Sequence, residues 1–473
     1  MNRAALEPRA LARRLRRRVT TAPLLTELRA LAKAGDVRLC VVGGYVRDAA
    51  LGRESGEIDL VAASHCARLV RDLRQRWSTR GYRFSKRGVT TWRFRLGGTM
   101  VDIVDASRRG LERDLFRRDL TINAIAFDLC GGTVIDPLRG CSDLRAGRLR
   151  PPADGAFLDD PLRALRLCRF IAQLPDFRPT PGARRAAAAV ARPLRRASVE
   201  RVGQELDKLL MSGRPRLGLE SLEALGLRTS VLPELDATVH CVAGRDRPDV
   251  WTHTLDAVGT AAQAGSHRLP GARFLTAAED RRIVRWALLL HDISKPETLQ
   301  FAPDGRPTFH GHEVLGERRA DALIRRLRLP AALRRRVTRL IRLHLRPGHL
   351  ADAGGPVRGL RRLVRDADDD LALLAVHAAA DARASGSPDA RTRWARLRTV
   401  LLDLIEMWEA RTAAPPPTLV DGRDVMRLLG LTPGPEIGRV LDNVREAQED
   451  GAVRTRGQAL AYLKKTRIRN PDR

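Results

Sequence analysis

The chain has 473 residues, with 86 Lys and Arg against 56 Asp and Glu, so its formal charge is +30 and its pI is near 11.3. At roughly 100–200 residues per domain this is enough for two to four domains, and a hydrophobic fraction of 43% supplies ordinary packed cores. The charge points to a polyanionic partner, nucleic acid ahead of membrane. No apolar run approaches the ~18–20 residues of a membrane span, and the first residues lack the apolar core of a secretory signal.

Only six of the basic residues are Lys; Arg suits phosphate because its planar fork donates in pairs. The cysteines (40, 66, 130, 141, 168 and 241) form no Cys-x-x-Cys pair, which argues against a zinc ribbon or disulfide framework and for a reducing cytoplasm. Aromatic residues make up 4%, so stacking platforms of the RRM type are not expected.

In chain order, residues 1–35 read as a basic amphipathic helix, with Arg13, Arg14, Arg16, Arg17 and Arg18 close together. Residues 36–150 read as α/β, with strands at Val37–Val42, Ile58–Val61, Trp92–Leu96, Met100–Val104 and Ile122–Asp128. From 151 to 238 Ala, Leu and Arg recur at helical spacing. Nine of the ten histidines lie between His240 and His377, inside a further segment, 239–410. A proline-rich linker at Thr412–Thr418 precedes a last segment, 418–473.

Within the α/β segment, Gly43-Gly44 follows a strand. Adjacent glycines let backbone N–H groups approach phosphate, although the pair also reads as a tight turn needing positive φ. In Glu57-Ile58-Asp59, residues i and i+2 share one strand face. Two carboxylates side by side repel unless a cation lies between them, which is how Mg²⁺ is held for nucleotidyl transfer. Asp102, in its own short strand, supplies a third carboxylate if the two strands are neighbours. Asp105 competes for that role but faces the other side or the strand end. Arg117-Arg118-Asp119 could clamp a triphosphate and be oriented by its own Asp.

The ordered motifs GGYVRD (43–48), Leu51-Gly52, Glu57-x-Asp59, RRDLTINAIA (117–126), Ile135-Asp136-Pro137-Leu138, DDPLRALR (159–166) and Glu200-Arg201 through Glu205 resemble the tRNA nucleotidyltransferase and bacterial poly(A) polymerase family. The resemblance implies an α+β chain: a polymerase-β-like head, then a largely helical neck, body and tail. It implies Mg²⁺ on Glu57 and Asp59, attack of the tRNA 3′-hydroxyl on the α-phosphorus of CTP or ATP, and departure of pyrophosphate. Gly43, Gly44, Arg47, Arg118, Asp119 and Asn123 would line the nucleotide site. Asp160 and Arg163, placed i and i+3 on one helix face, would read the base, with Arg166 a weaker candidate beside them. Taken alone, that pair reads as an intrahelical salt bridge. Two features depart from the family pattern. Glu57 stands where Asp is usual, and the segment between the Met100–Val104 strand and Arg117 is short, as in members that add only CC.

His253, His291-Asp292 and Asp381 resemble the HD phosphohydrolase ligand set, with His312 an extra ligand and His344 a further family position. Such a set holds a divalent transition metal or Mg²⁺. His240, His267, His349 and His377 read as structural. The tail, from Val420 through the glycine-rich turn at 430–438 to Lys464, Lys465, Arg467 and Arg469, resembles the family's tRNA-binding end. The expected partners are therefore the tRNA acceptor arm, CTP and ATP, with no membrane. The rival readings are a poly(A) polymerase, a phosphohydrolase whose head only holds RNA, and a non-catalytic RNA-binding protein.

Overall fold

The computed structural model describes residues 7–86, 88–242, 249–263, 267–385, 390–413, 417–449 and 451–468. Arg469 and most of the proline run of the expected linker lie outside them. The chain divides after Pro233 into two compact units.

The first unit opens with two helices rather than one. Pro23 cannot continue a helix begun upstream, so α1 (Pro8–Thr21) stops and α2 (Pro23–Ala34) starts at the prolines. Leu11, Leu15 and Val19 of α1 are buried on one face. The arginines that flank this face are not merely solvated. Arg14 Nη1 donates to the carbonyls of Ala49 and Ala50 at 3.0 and 2.9 Å, and Arg16 Nε donates to that of Gly132 at 2.8 Å. The N-terminal arginines thus fasten the helix pair to the sheet domain.

The sheet has strands β1 (Leu39–Val42), β2 (Glu57–Ala62), β3 (Tyr82–Lys86), β4 (Val89–Leu96), β5 (Thr99–Asp105), β6 (Ala126–Asp128) and β7 (Val134–Ile135). Their spatial order is β3-β4-β5-β2-β1-β6-β7. The β2–β5 pair is parallel and the other pairs are antiparallel. The buried face of the central strands is apolar: Ile58 and Leu60 of β2 stand beside Val101 and Ile103 of β5. Around the sheet lie α3 (Gly44–Ala50), α4 (Cys66–Arg76), α5 (Leu111–Phe116) and α6 (Gly140–Ala146).

Two strand expectations need correction. Residues 122–125 do not join a strand; Thr121–Asn123 form a 3₁₀ turn and only Ala126–Asp128 pair. Side chains explain this. Thr121 Oγ1 donates to buried Asp143 and Asn123 Nδ2 to buried Asp119, both across short distances (2.7 and 2.8 Å), and such bonds compete with a ladder. In addition, the edge strand β3 carries no clear alternation in sequence and was not expected.

Beyond the sheet, α7 (Ala156–Asp159) and α8 (Leu162–Gln173) lead into helices Pro181–Ala189, Val199–Leu210 and Pro215–Ala224. Among the described residues the second unit is helical apart from one two-residue hairpin pairing, Gln300–Phe301 with Pro307–Thr308, and a single bridge between Val242 and Asp249. Five of its histidines, His253, His312, His291, His344 and His377, sit on helices Val250–Ala262 and His312–Arg326, at the ends of Ala278–Leu290 and Ala331–Leu343, and on Leu371–Ala384. Three last helices, Gly422–Leu429, Pro435–Glu449 and Arg456–Ile468, enclose a small core of their own around Val425, Val444 and Leu463. Among the described residues, no helix is long and apolar enough to cross a membrane.

Candidate active sites

The head site begins at the end of β1. Gly43 has φ +71°, a conformation that costs an L side chain energy. A Cβ there would lie 2.7 Å from Arg118 Nη1 and 2.9 Å from Asp59 Oδ2. Glycine therefore does two things: it starts α3, and it lets a carboxylate and a guanidinium converge on the same few ångströms.

Asp59 stands directly opposite Asp102 in the parallel register, so the two carboxylates share a face with Glu57. Burial raises the Asp59 carboxyl above its usual range; Arg118 opposes this, and Asp102 and Glu57 add to it. A carboxylate whose charge is opposed by burial and by carboxylate neighbours fits a divalent cation. Asp102, however, is held by Arg93, Nε to Oδ1 and Nη2 to Oδ2, both at 2.7 Å.

A cavity of about 820 Å³ opens beside Asp59. Gly43, Gly44, Arg47, Glu57, Asp59, Arg118, Asp119, Asn123, Asp160, Arg163 and Arg166 all line it; Asp102 is the expected residue that does not. Several pairings within it differ from expectation. Arg118 is oriented by Asp114, one turn earlier on α5, with Nη2 to Oδ2 at 2.9 Å, and not by its neighbour Asp119. Asp119 is buried; its Oδ1 accepts from Leu120 N and Asn123 Nδ2 and its Oδ2 forms an ion pair with Arg166 Nη2, each at 2.8 Å. Burial works against its charge, but Arg166, Asn123 and Arg169 outweigh it and hold the carboxyl down at about 2. Arg47 is gripped by Asp48 and donates to Asn123 Oδ1 at 2.8 Å, with its guanidinium 5.5 Å from the centre of the Phe170 ring.

Asp160 and Arg163 do not share a helix. Asp160 is in extended backbone (φ −143°, ψ 95°), because Pro161 follows it and disfavours helical backbone in the preceding residue. It pairs with Arg201 at 3.0 Å. Arg163 opens α8 and donates to the carbonyls of Ala156 and Arg117, and burial lowers its pKa. The intrahelical salt bridge is thus absent, while both side chains still reach the cavity. Sequence reasoning missed Asp114, whose i,i+4 spacing to Arg118 was the available signal. It also missed Arg109 and Arg113 on the cavity wall, which carry no local signal.

In the second unit five helical segments aim ring nitrogens and carboxylates at one buried point. His253 Nε2 lies 2.8 Å from Asp381 Oδ1; His291 Nε2 lies 3.2 Å from Asp292 Oδ2 and 3.6 Å from Asp381 Oδ1. On the other side of Asp292, His312 Nε2 is 3.4 Å from Oδ1 and 3.2 Å from His344 Nε2. The Nδ1 atoms of His291, His312 and His344 each meet a backbone carbonyl three residues earlier, at 2.9, 2.7 and 2.6 Å. This leaves every Nε2 directed inward, the arrangement of metal-binding imidazoles.

Two ligand groups share Asp292: His253, His291 and Asp292, and Asp292, His312 and His344. His291 Nε2 and Asp292 Oδ1 are buried without a well-formed hydrogen bond among the described residues, a donor set that fits a divalent ion. Burial would lower His291, yet Asp292 and Asp381 raise it to about 10, so the cluster attracts positive charge. Lys295 Nζ stands 2.7 Å from Asp292 Oδ2. His377, read as structural, packs its ring 5.4 Å from that of His291, and burial, then His291, pushes it down to about 3.

The sheet domain matches the Poly A polymerase head domain over residues 39–150, the next segment matches the probable RNA and SrmB-binding site of polymerase A over 176–238, and the histidine region matches the HD domain over 250–384. An A-adding tRNA nucleotidyltransferase of Deinococcus radiodurans is 36% identical over 384 residues, covering 79% of this chain and 83% of that one. The chain belongs to the tRNA nucleotidyltransferase family. A CC-adding tRNA nucleotidyltransferase of Thermus thermophilus is 34% identical over 433 residues, 89% of this chain and 92% of that one. Among solved structures, the Thermotoga maritima CCA-adding enzyme complexed with tRNA aligns with TM-score 0.59 at 20% identity, covering 94% of this chain and 96% of that one. A CCA-adding enzyme with CTP aligns at 0.62, with the same identity and coverage; these two likenesses bear on the fold. Family membership makes this chain an enzyme of template-independent nucleotidyl transfer to tRNA 3′ ends, and its two domain types use divalent metal.

Proposed function

We propose that this tRNA nucleotidyltransferase adds CMP and stops after CC. The observation that carries this is the connection from β5 to α5, which is only the five residues 106–110. Family members that add the whole of CCA usually have a longer flexible loop at this place. The two relatives reported above differ in the nucleotide they add, so the loop is the more discriminating feature.

In this reading Glu57 and Asp59 hold Mg²⁺, which supplies charge neutralisation at the reacting phosphate. Arg118, set by Asp114, and Arg47, set by Asp48, bind the triphosphate on the Gly43 side of Asp59. Asp102 is the third carboxylate and takes the proton of the attacking 3′-hydroxyl once Arg93 yields. Asp160 and Arg163 read the base from the mouth of α8. A reducing, cytoplasmic setting suits the six cysteines, which are all free thiols.

Transcripts ending before CCA, after C and after CC, each given one labelled nucleotide, test the reading. Two C additions, and no A on the CC-ended transcript, are expected. Incorporation of A there would overturn it, and long A tracts on unrelated RNA would favour a poly(A) polymerase.

The histidine cluster supports a second activity, hydrolysis of a phosphoester such as a 2′,3′-cyclic phosphate end. His253, His291, Asp292, His312 and Asp381, with His344, would hold the divalent ion, which activates water for such chemistry. Lys295 stands ready for the phosphate. Opening of the ring of a cyclic-phosphate-ended RNA by water, to a terminal phosphomonoester, tests it.

A further inference from the structure

The sheet face that carries the head carboxylates does not end at Asp102. Strand register continues it outward: Asp59 is opposite Asp102, Asp102 opposite Arg93, and Arg93 opposite Tyr82. Residues opposite one another in register point to the same side of a sheet. Tyr82 and Phe84, two apart on β3, therefore share the face of Asp59, three strand spacings away, about 14 Å at ~4.8 Å per strand.

β3 is the edge of the sheet. Tyr82 is 68% exposed, which is unusual for a large aromatic ring. Its ring is near-parallel to that of Phe84, with centroids 5.9 Å apart and an interplanar angle of 27°. The Arg93 guanidinium lies 5.5 Å from the Phe84 centroid. Phe84 also lines the cavity that contains Gly43 and Asp59, so the aromatic edge is continuous with the nucleotide site.

The direction matters. The triphosphate-binding groups, Gly43 and Arg118, lie on the β1 side of Asp59. The β5–β4–β3 side is left for the other reactant, the strand that carries the attacking hydroxyl. We propose that Tyr82 and Phe84 form a stacking platform for the terminal unpaired base of the tRNA 3′ end, beside the positive charge of Arg93. Aromatic faces accept any base, which suits an acceptor whose last base changes as the end grows. This rests on the nucleotidyl-transfer reading above.

The test uses the full-length protein and two acceptor-stem minihelices, one ending in a single unpaired 2-aminopurine and one flush. The native protein is expected to quench the 2-aminopurine and to bind the tailed helix about 10-fold more tightly than the flush one, the scale of one base stack. Tyr82→Ala with Phe84→Ala should abolish the quenching and equalise the two affinities, leaving the flush-helix affinity unchanged. Tyr82→Phe should keep the native behaviour. If the double variant melts early, Tyr82→Ala alone, at an exposed position, should give partial loss of quenching. Undiminished quenching in a variant with native Tm would overturn the platform. A native protein that incorporates CMP yet shows no quenching would also overturn it, whereas one that incorporates no CMP would instead overturn the nucleotidyl-transfer reading.

Discussion

Arg93 grips both oxygens of Asp102 at 2.7 Å, in the sheet row that also holds Asp59. A carboxylate bound at both oxygens by a guanidinium is not free for a metal, so a metal reaching Asp102 would have to compete with Arg93. Arg93→Gln removes the competitor and one positive charge. We expect the Mg²⁺ concentration for half-maximal incorporation to fall about 5-fold, the scale of a partly exposed ion pair. An unchanged Mg²⁺ titration would remove Asp102 from the metal site.

Gly43→Ala tests the crowding at the head site. The new methyl would meet Arg118 and Asp59 at under 3 Å, and the positive φ adds backbone strain. The chain would relieve the clash by displacing one of the two charged groups. A displacement of that size at reacting groups costs about 100-fold in turnover. We expect kcat for CMP incorporation to fall on that scale while cyclic-phosphate hydrolysis by the histidine cluster is kept. Native-like kcat would mean that Arg118 and Asp59 need not converge.

Asp119 links pH to stability. Its folded carboxyl lies at about 2, against an ordinary 3.8. A lowered folded pKa gives stability that is fully present above pH ~4 and is lost as pH falls toward 2, because the unfolded chain binds the proton first. The shift corresponds to about 2 kcal/mol, reduced toward about 1 because its partner Arg166 is partly solvent-screened. Asp119→Asn should therefore lower ΔG of unfolding at pH 7, and its deficit should shrink below pH 4. A deficit independent of pH would assign the loss to packing alone.

What the sequence made legible follows range. Gly43, Asp59, Arg118 and Asn123 lie in contiguous motifs, and the fold brings them to one cavity. Partners that come from elsewhere were not visible. Arg118 takes Asp114 instead of Asp119 because α5 turns Asp114 back by one helical turn. Asp160 leaves the helix of Arg163 because a proline follows it. Arg14 caps carbonyls 35 and 36 residues away, something no local pattern encodes. In the histidine region the alternation of imidazole and carboxylate was readable, and His344 was recognised. The sharing of Asp292 between two ligand groups needed the helices in place.

That sharing makes the last prediction. If Asp292 serves both groups, its loss should remove all bound metal from the second unit, whereas His344→Ala should disturb only the group formed with His312. Metal analysis of dialysed protein should then give about two ions per native chain, about one in His344→Ala and about none in Asp292→Ala, as expected for a paired-ion site. Asp59→Ala, made in the head, should leave this content and the cyclic-phosphate hydrolysis intact while abolishing incorporation. Asp292→Ala should do the reverse. Asp292→Ala also leaves Lys295, His291 and His312 without their buried counter-charge, which destabilises a core. Its Tm must therefore be read beside its activity, and Asp292→Asn, which keeps the shape, serves as the control. One ion in the native chain would mean that His312 and His344 orient Asp292 rather than bind, and loss of both activities from either single change would refute two independent sites.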